Sequence, residues 1–224
     1  MGKIITLSGP SGVGKTTLFY LIETKLKQEK IKLIPRYTNR PIRKGEQEGF
    51  EYHFVTHDGL LQKVLENDFI HFEKWGDYYS AIEKNILDET IKSDYDGIVL
   101  ASIFGTNRLQ ATYHDKIVPI YMWSGRYQSL HNRECLSPFC EEIIELKSRI
   151  RKKLVDDGFS EFEKETLANE EFLEKRMIDN YLDIAAVYGK LMSGDKYYIL
   201  ENLHKKESDT ANNFLEYINE LRKR

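Results

Sequence analysis

Apolar and polar positions along this chain divide it into short strands and longer helices. Lys3–Ser8 (KIITLS) is a β-branched run that stops at a Gly/Pro/Ser cluster, and Lys15–Glu29 reads as a helix. Ile31–Pro35 is a second short apolar run, and polar, turn-rich Asn39–Gly49 predicts an exposed loop. Glu51–Val55 alternates like a half-buried strand, and Asp58–Glu66 predicts a short helix capped by Asp58. Phe69–Trp75 and Tyr78–Ser80 read as a strand pair around a turn at Gly76-Asp77. Ala81–Ser93 is helical by pattern, whereas the continuous apolar run Gly97–Ala101 (GIVLA) suits the middle of a parallel sheet. Asn107–Tyr113 predicts a short helix and Ile117–Met122 a buried strand. Charged, helical sequence then runs from Arg126 to about Leu191, with a short strand at Tyr197–Leu200. The last element is an amphipathic helix, Thr210–Arg222, with Phe214, Tyr217, Ile218 and Leu221 on one side.

Strands alternating with helices imply an α/β fold: a parallel sheet with helices on both faces. Residues 36–80 interrupt that alternation as a small β-rich lobe. With 224 residues the chain suits one domain, 1–224. Lys and Arg total 33 against 36 Asp and Glu, a net charge of −3, which argues against a nucleic-acid-tracking surface. The apolar runs are too short to span a bilayer and no export signal is evident, so the expected location is cytoplasmic. Cys135 and Cys140 lack a CxxC spacing and read as idle thiols of a reducing compartment. Oligomeric state leaves no mark in this pattern.

Chemistry enters with Gly9–Thr16, GPSGVGKT, which fits G-x-x-x-x-G-K-[ST] between a predicted strand and a predicted helix. Glycines let the backbone turn so that several amide N–H groups converge on phosphate oxygens, and the helix start adds its positive dipole end. Lys15 then reaches the β- and γ-phosphates, and the Thr16 hydroxyl suits magnesium. The residues expected to hold Mg-ATP are Gly9, Ser11, Gly12, Val13, Gly14, Lys15, Thr16 and Thr17.

A phosphate loop does not identify the acceptor. In the lobe, Arg36, Arg40, Arg43 and Lys44 lie near Tyr37 and Tyr52, with Tyr79 further on. Guanidinium groups bind phosphate bidentately, and tyrosine hydroxyls donate to the remaining oxygens. A phosphate monoester already carries its nucleophilic oxygen, so it needs charge cancellation and alignment rather than a general base. The reading requires two anionic groups brought end to end, one on main-chain amides and one on guanidinium groups.

GPSGVGKT, the Arg36–Val55 run RYTNRPIRKGEQEGFEYHFV and the Phe69–Ala81 run FIHFEKWGDYYSA resemble guanylate kinase. Weaker resemblance continues through Glu170–Met177 and Tyr197–Asn202. The resemblance implies a phosphotransferase in which Arg40, Arg43, Tyr52 and Tyr79 grip the acceptor phosphate. It also implies a lid over 126–176 whose Arg133 and Arg176 meet the donor phosphates, and this lid is longer than the family's. Arg149 and Arg151 are additional lid candidates. The implied partners are ATP with Mg²⁺ and a phosphorylated small molecule, with GMP or dGMP first, and neither nucleic acid nor membrane.

The family's base-reading positions differ here. A glutamate is expected near His71, an aspartate near Ser102, and serines near Arg36 and Ala81. A carboxylate is the natural reader of guanine's adjacent N–H donors. Glu73 supplies one if the strand register shifts by a residue or two, and Glu46 is nearby; His71 alternatively reads as a packed histidine. Arg36-Tyr37 also resembles ribose 1,5-bisphosphate phosphokinase, which makes that sugar phosphate a second acceptor to consider, beside other divergent monophosphate kinases. A different class, the non-catalytic guanylate-kinase-like modules that bind phosphopeptides, usually has a degraded phosphate loop.

Overall fold

The computed structural model describes residues 1–43, 45–75, 78–137, 140–156, 170–203 and 206–222. In chain order its elements are β1 (Ile4–Ser8), α1 (Lys15–Gln28), β2 (Ile31–Ile34), β3 (Arg36–Thr38) and β4 (Tyr52–Phe54). Then come α2 (His57–Leu65), β5 (Phe69–Trp75), β6 (Tyr78–Glu83), α3 (Lys84–Lys92), β7 (Asp96–Leu100) and α4 (Ile103–Tyr113). The remainder is β8 (Ile117–Trp123), α5 (Glu141–Asp156), α6 (Glu170–Met192), β9 (Tyr198–Glu201) and α7 (Glu207–Arg222). This is the α/β fold expected from the alternating pattern, with parallel strand pairing and a second, smaller sheet. Contacts divide the chain into two units, Met1–Ser8 with Leu26–Pro119 and Gly9–Lys25 with Ile120–Arg224.

In the first unit β7 pairs in parallel with both β1 and β2, Gly97 facing Ile4 and Asp96 facing Ile31. All five residues of β1 and of β7 are buried, which is why these strands show no apolar/polar alternation. Ile4, Ile34, Val99, Leu87, Leu109 and Ile117 share one apolar cluster with Ile82 and Ala101. The small sheet has the order β4-β3-β6-β5, with β3 parallel to β4 and antiparallel to β6.

Three local readings need correction in this unit. Ala81–Glu83 continue β6 rather than opening a helix, because Ala81 pairs with Tyr37 and Phe72 on its two sides and Ile82 with His71. Both side chains are buried, so sheet burial overrides the helical pattern. The cap of α2 is Thr56, not Asp58: its backbone is extended and its Oγ1 accepts the Gly59 N–H at 3.1 Å. Helix α4 starts four residues before Asn107, because Ser102 caps it by accepting the Gly105 N–H at 2.9 Å.

In the second unit β8 runs parallel to β9, Ile120 facing Tyr198. Helix α7 presents the expected face: Phe214 and Ile218 are buried and Tyr217 stacks on Tyr198 at 3.5 Å. The charged stretch after Arg126 begins as two 3₁₀ turns, Tyr127–His131 and Arg133–Leu136, before α5 and α6. The basic run Ser148–Lys153 lies on α5, while Lys44, the Gly76-Asp77 turn and Phe159–Leu167 fall outside the described residues. Both cysteines are free thiols, and burial together with a bond to Glu142 pushes Cys140 up to about 11. Among the described residues no helix is long and apolar enough to cross a membrane.

Candidate functional site

The phosphate loop belongs to the second unit and depends on absent side chains. Gly9 has φ +139°, and a Cβ there would stand 2.4 Å from the Met122 carbonyl oxygen. Gly14 has φ +101°, with only 2.7 Å available before the Asn202 amide nitrogen. Lys15 donates from Nζ to the carbonyls of Gly9 (2.5 Å) and Pro10 (3.0 Å), folding back over its own loop. Val13 is buried, Ser11, Gly12 and Thr16 are half-buried, and Thr17 is exposed. Of the lid arginines, Arg176 donates to Ser11 Oγ at 3.0 Å. Arg133 is exposed on its 3₁₀ turn, Arg149 pairs with Glu145 within α5, and Arg151 is exposed on the same helix.

Two asparagines outside the motif hold this loop. Asn180, on α6, accepts the Ser11 N–H at 2.6 Å and donates back to the Ser11 carbonyl at 3.3 Å. Asn202, just past β9, donates to the Val13 carbonyl at 2.6 Å and accepts from Thr210 at 2.9 Å. Neither was singled out from sequence. A signal for Asn180 exists all the same: it interrupts the buried stripe Leu173, Met177, Ile184, Val187 at helical spacing. A polar residue in such a stripe must find partners.

The acceptor candidates lie in the first unit, and most of them converge. The Tyr52 ring carries the Arg40 guanidinium at 4.6 Å and the Arg36 guanidinium at 5.1 Å. Arg40 forks onto Glu46 at 2.6 and 2.5 Å, and the Arg43 amide donates to Glu46 at 2.9 Å. Arg36 donates to the Tyr52 hydroxyl at 2.7 Å and to Glu73 at 3.2 Å. The other oxygen of Glu73 accepts from Ser102 at 2.6 Å and from His71 at 3.0 Å. His71 and Glu73 sit two apart on β5 and so share one face, below a register irregularity between Phe69 and His71. His71 is a partner of Glu73 rather than an isolated packed ring. Tyr79 stands apart from this network: its ring stacks on Phe72 at 5.0 Å, and its amide and carbonyl bond Asn39 and Thr38.

Charge balance in this cluster is local. Burial alone would oppose the charge on Arg36, but Tyr52 and Glu73 outweigh it and keep the guanidinium protonated. Burial would likewise raise Glu46, yet the bonds from Arg40 and the Arg43 amide hold it below the usual carboxylate range. A carboxyl depressed on folding stabilises the protein above its unfolded pKa of about 4.3, and that stabilisation fades as pH falls through the lower folded value. The expected result is that Glu46→Gln costs about 1–3 kcal/mol at pH 7 and progressively less below about pH 4. Unfolding midpoints of both proteins between pH 3 and 7 check this; a constant gap would show that ionisation of Glu46 is not what matters.

The guanylate kinase family model matches residues 1–156. A guanylate kinase of Anaplasma phagocytophilum is 29% identical over 136 residues, covering 60% of this chain and 64% of that protein. One from Hydrogenovibrio crunogenus is 31% identical over 116 residues, 52% of this chain and 56% of that protein. The chain therefore spans less than two thirds of either relative's length. In fold it is similar to the crystal structure of guanylate kinase from Anaplasma phagocytophilum, with a TM-score of 0.58 at 16% identity, over 97% of this chain and 85% of that one.

Proposed function

Since this chain belongs to the guanylate kinase family, we propose that it transfers the γ-phosphoryl group of Mg-ATP to a nucleoside 5′-monophosphate, GMP and dGMP being the first candidates, and releases ADP and the diphosphate. The observation that carries this reading is the complete phosphate loop, glycine-shaped and with Lys15 already on its carbonyls. Loop amides and Lys15 would cradle the donor phosphates and spread the charge that builds on the moving group, while Thr16 would meet the magnesium that arrives with ATP. Arg40, Arg43 and Tyr52 would hold the acceptor phosphate with its own oxygen as nucleophile. No proton acceptor is required, and the carboxylate nearest these arginines, Glu46, is spent on orienting Arg40. When the acceptor phosphate arrives it competes with Glu46 for the guanidinium fork.

An ADP-release assay across nucleoside monophosphates and ribose 1,5-bisphosphate tests the reading. The expected outcome is turnover of at least one purine monophosphate at about 1–100 per second. The sugar bisphosphate belongs in the panel because its second phosphate would take Arg36 by displacing Glu73 from the guanidinium. Binding of Mg-ATP without turnover of any of these would overturn the kinase reading and favour a binding module instead.

A further inference from the structure

Helix α6 and the phosphate loop are joined by a contact that ordinary packing does not require. Asn180 is 2% exposed and lies 169 residues from Ser11, yet its side-chain amide pairs with the Ser11 peptide as one strand pairs with another. One atom accepts the N–H and the other donates to the carbonyl. One turn earlier on the same helix, Arg176 donates to the Ser11 hydroxyl. Residues four apart share a helix face, so Ser11 receives both groups together.

The geometry points to Asn180 as a positioning residue for ATP; this rests on reading GPSGVGKT as the ATP site. An anion-binding loop works only if its carbonyl dipoles are turned away from the phosphates while its amides stay turned toward them. Asn202 draws the Val13 carbonyl outward, and Asn180 does the same for Ser11, whose own N–H it also takes, so the Ser11 peptide is fixed whole and the amides that follow it are left for phosphate. Because the loop's glycines permit several backbone conformations, this orientation is imposed from outside the motif. Asn180 also sets the register of Arg176 on the loop, so a cation is placed beside the bound phosphates at the same time.

Calorimetric titration of Mg-ATP into the full chain at pH 8 tests the assignment, with circular dichroism melting of each unliganded variant alongside. Asn180→Ala should weaken Mg-ATP about tenfold or more in protein that remains folded at the titration temperature. Asn180→Asp keeps the size and the bond from the Ser11 N–H but turns a lone pair onto the Ser11 carbonyl. It should weaken Mg-ATP more than the alanine variant does. A filler of space would show the opposite order, since alanine leaves the larger void. Folded variants that bind within twofold of the unmodified chain, or an alanine variant worse than the aspartate one, overturn the assignment. Absence of Mg-ATP binding in the unmodified chain overturns the ATP reading itself, a separate result.

Discussion

Replacing Lys15 by alanine is expected to lower turnover by about two to three orders of magnitude while the protein stays folded. The ammonium group rests on the carbonyls of Gly9 and Pro10, so it is already held at the loop before any nucleotide binds. A charge held in place costs no reorganisation when negative charge shifts onto the leaving phosphate, which is what makes it catalytic rather than merely attractive. Loss of fold is not expected, because the loop keeps its other restraints. The Pro10 carbonyl still accepts the Val13 N–H at 3.3 Å, and the asparagine bonds at Ser11 and Val13 do not involve Lys15. Removing two exchangeable bonds from a half-buried lysine should cost about 1 kcal/mol of stability. Steady-state turnover and the melting midpoint, measured on one preparation, separate the two effects. Turnover within tenfold of the unmodified chain would falsify the role given to Lys15.

The phosphate loop was legible in the sequence because its information is local: strand, glycines, lysine and helix follow within some twenty residues. The buried strands were legible for a similar reason, since burial on both faces leaves few polar positions, Thr6, Ser8 and Asp96, to blur them. Contacts from afar blurred the rest. Ala81–Glu83 carry a helical pattern that only the flanking strands β3 and β5 overrule. The individual residues Arg36, His71, Glu73 and Ser102 were each visible as departures from a pattern, but that they bond to one another was not. Arg36 and Glu73 are 37 positions apart, Glu73 and Ser102 29, and their meeting depends on strand register and on where α4 begins. Asn180 was hidden more deeply, by 169 positions and by the mostly apolar stripe in which it stands.

That same network sets the second large effect. Arg36 and Glu73 are 11% and 13% exposed, so each neutralises the other out of reach of most solvent. Their dependence is unequal. Glu73 keeps the donors Ser102 and His71, whereas Arg36 has beyond Glu73 the Tyr52 hydroxyl and the weaker pull of the Glu51 charge, and its buried Nε has no hydrogen-bond partner. Glu73→Ala therefore strands a buried cation and is expected to cost about 3–5 kcal/mol, the usual range for breaking a buried pair from one side. Arg36→Ala leaves a carboxylate still holding two hydrogen bonds and should cost about 1–3 kcal/mol. Removing both should cost less than the sum, because the stranded charge disappears with its partner. Urea unfolding of the four proteins measures all three quantities. If Arg36→Ala proves the more damaging, the guanidinium is supporting the small sheet through its stacking on Tyr52, and Glu73 is the dependent member. If the costs simply add, the 3.2 Å pair carries no coupling, and Glu73 is held by Ser102 and His71 alone. The expected order follows from what remains: a carboxylate that loses Arg36 keeps Ser102 and His71, and a guanidinium that loses its hydrogen-bonded carboxylate keeps the Tyr52 hydroxyl and the pull of the Glu51 charge.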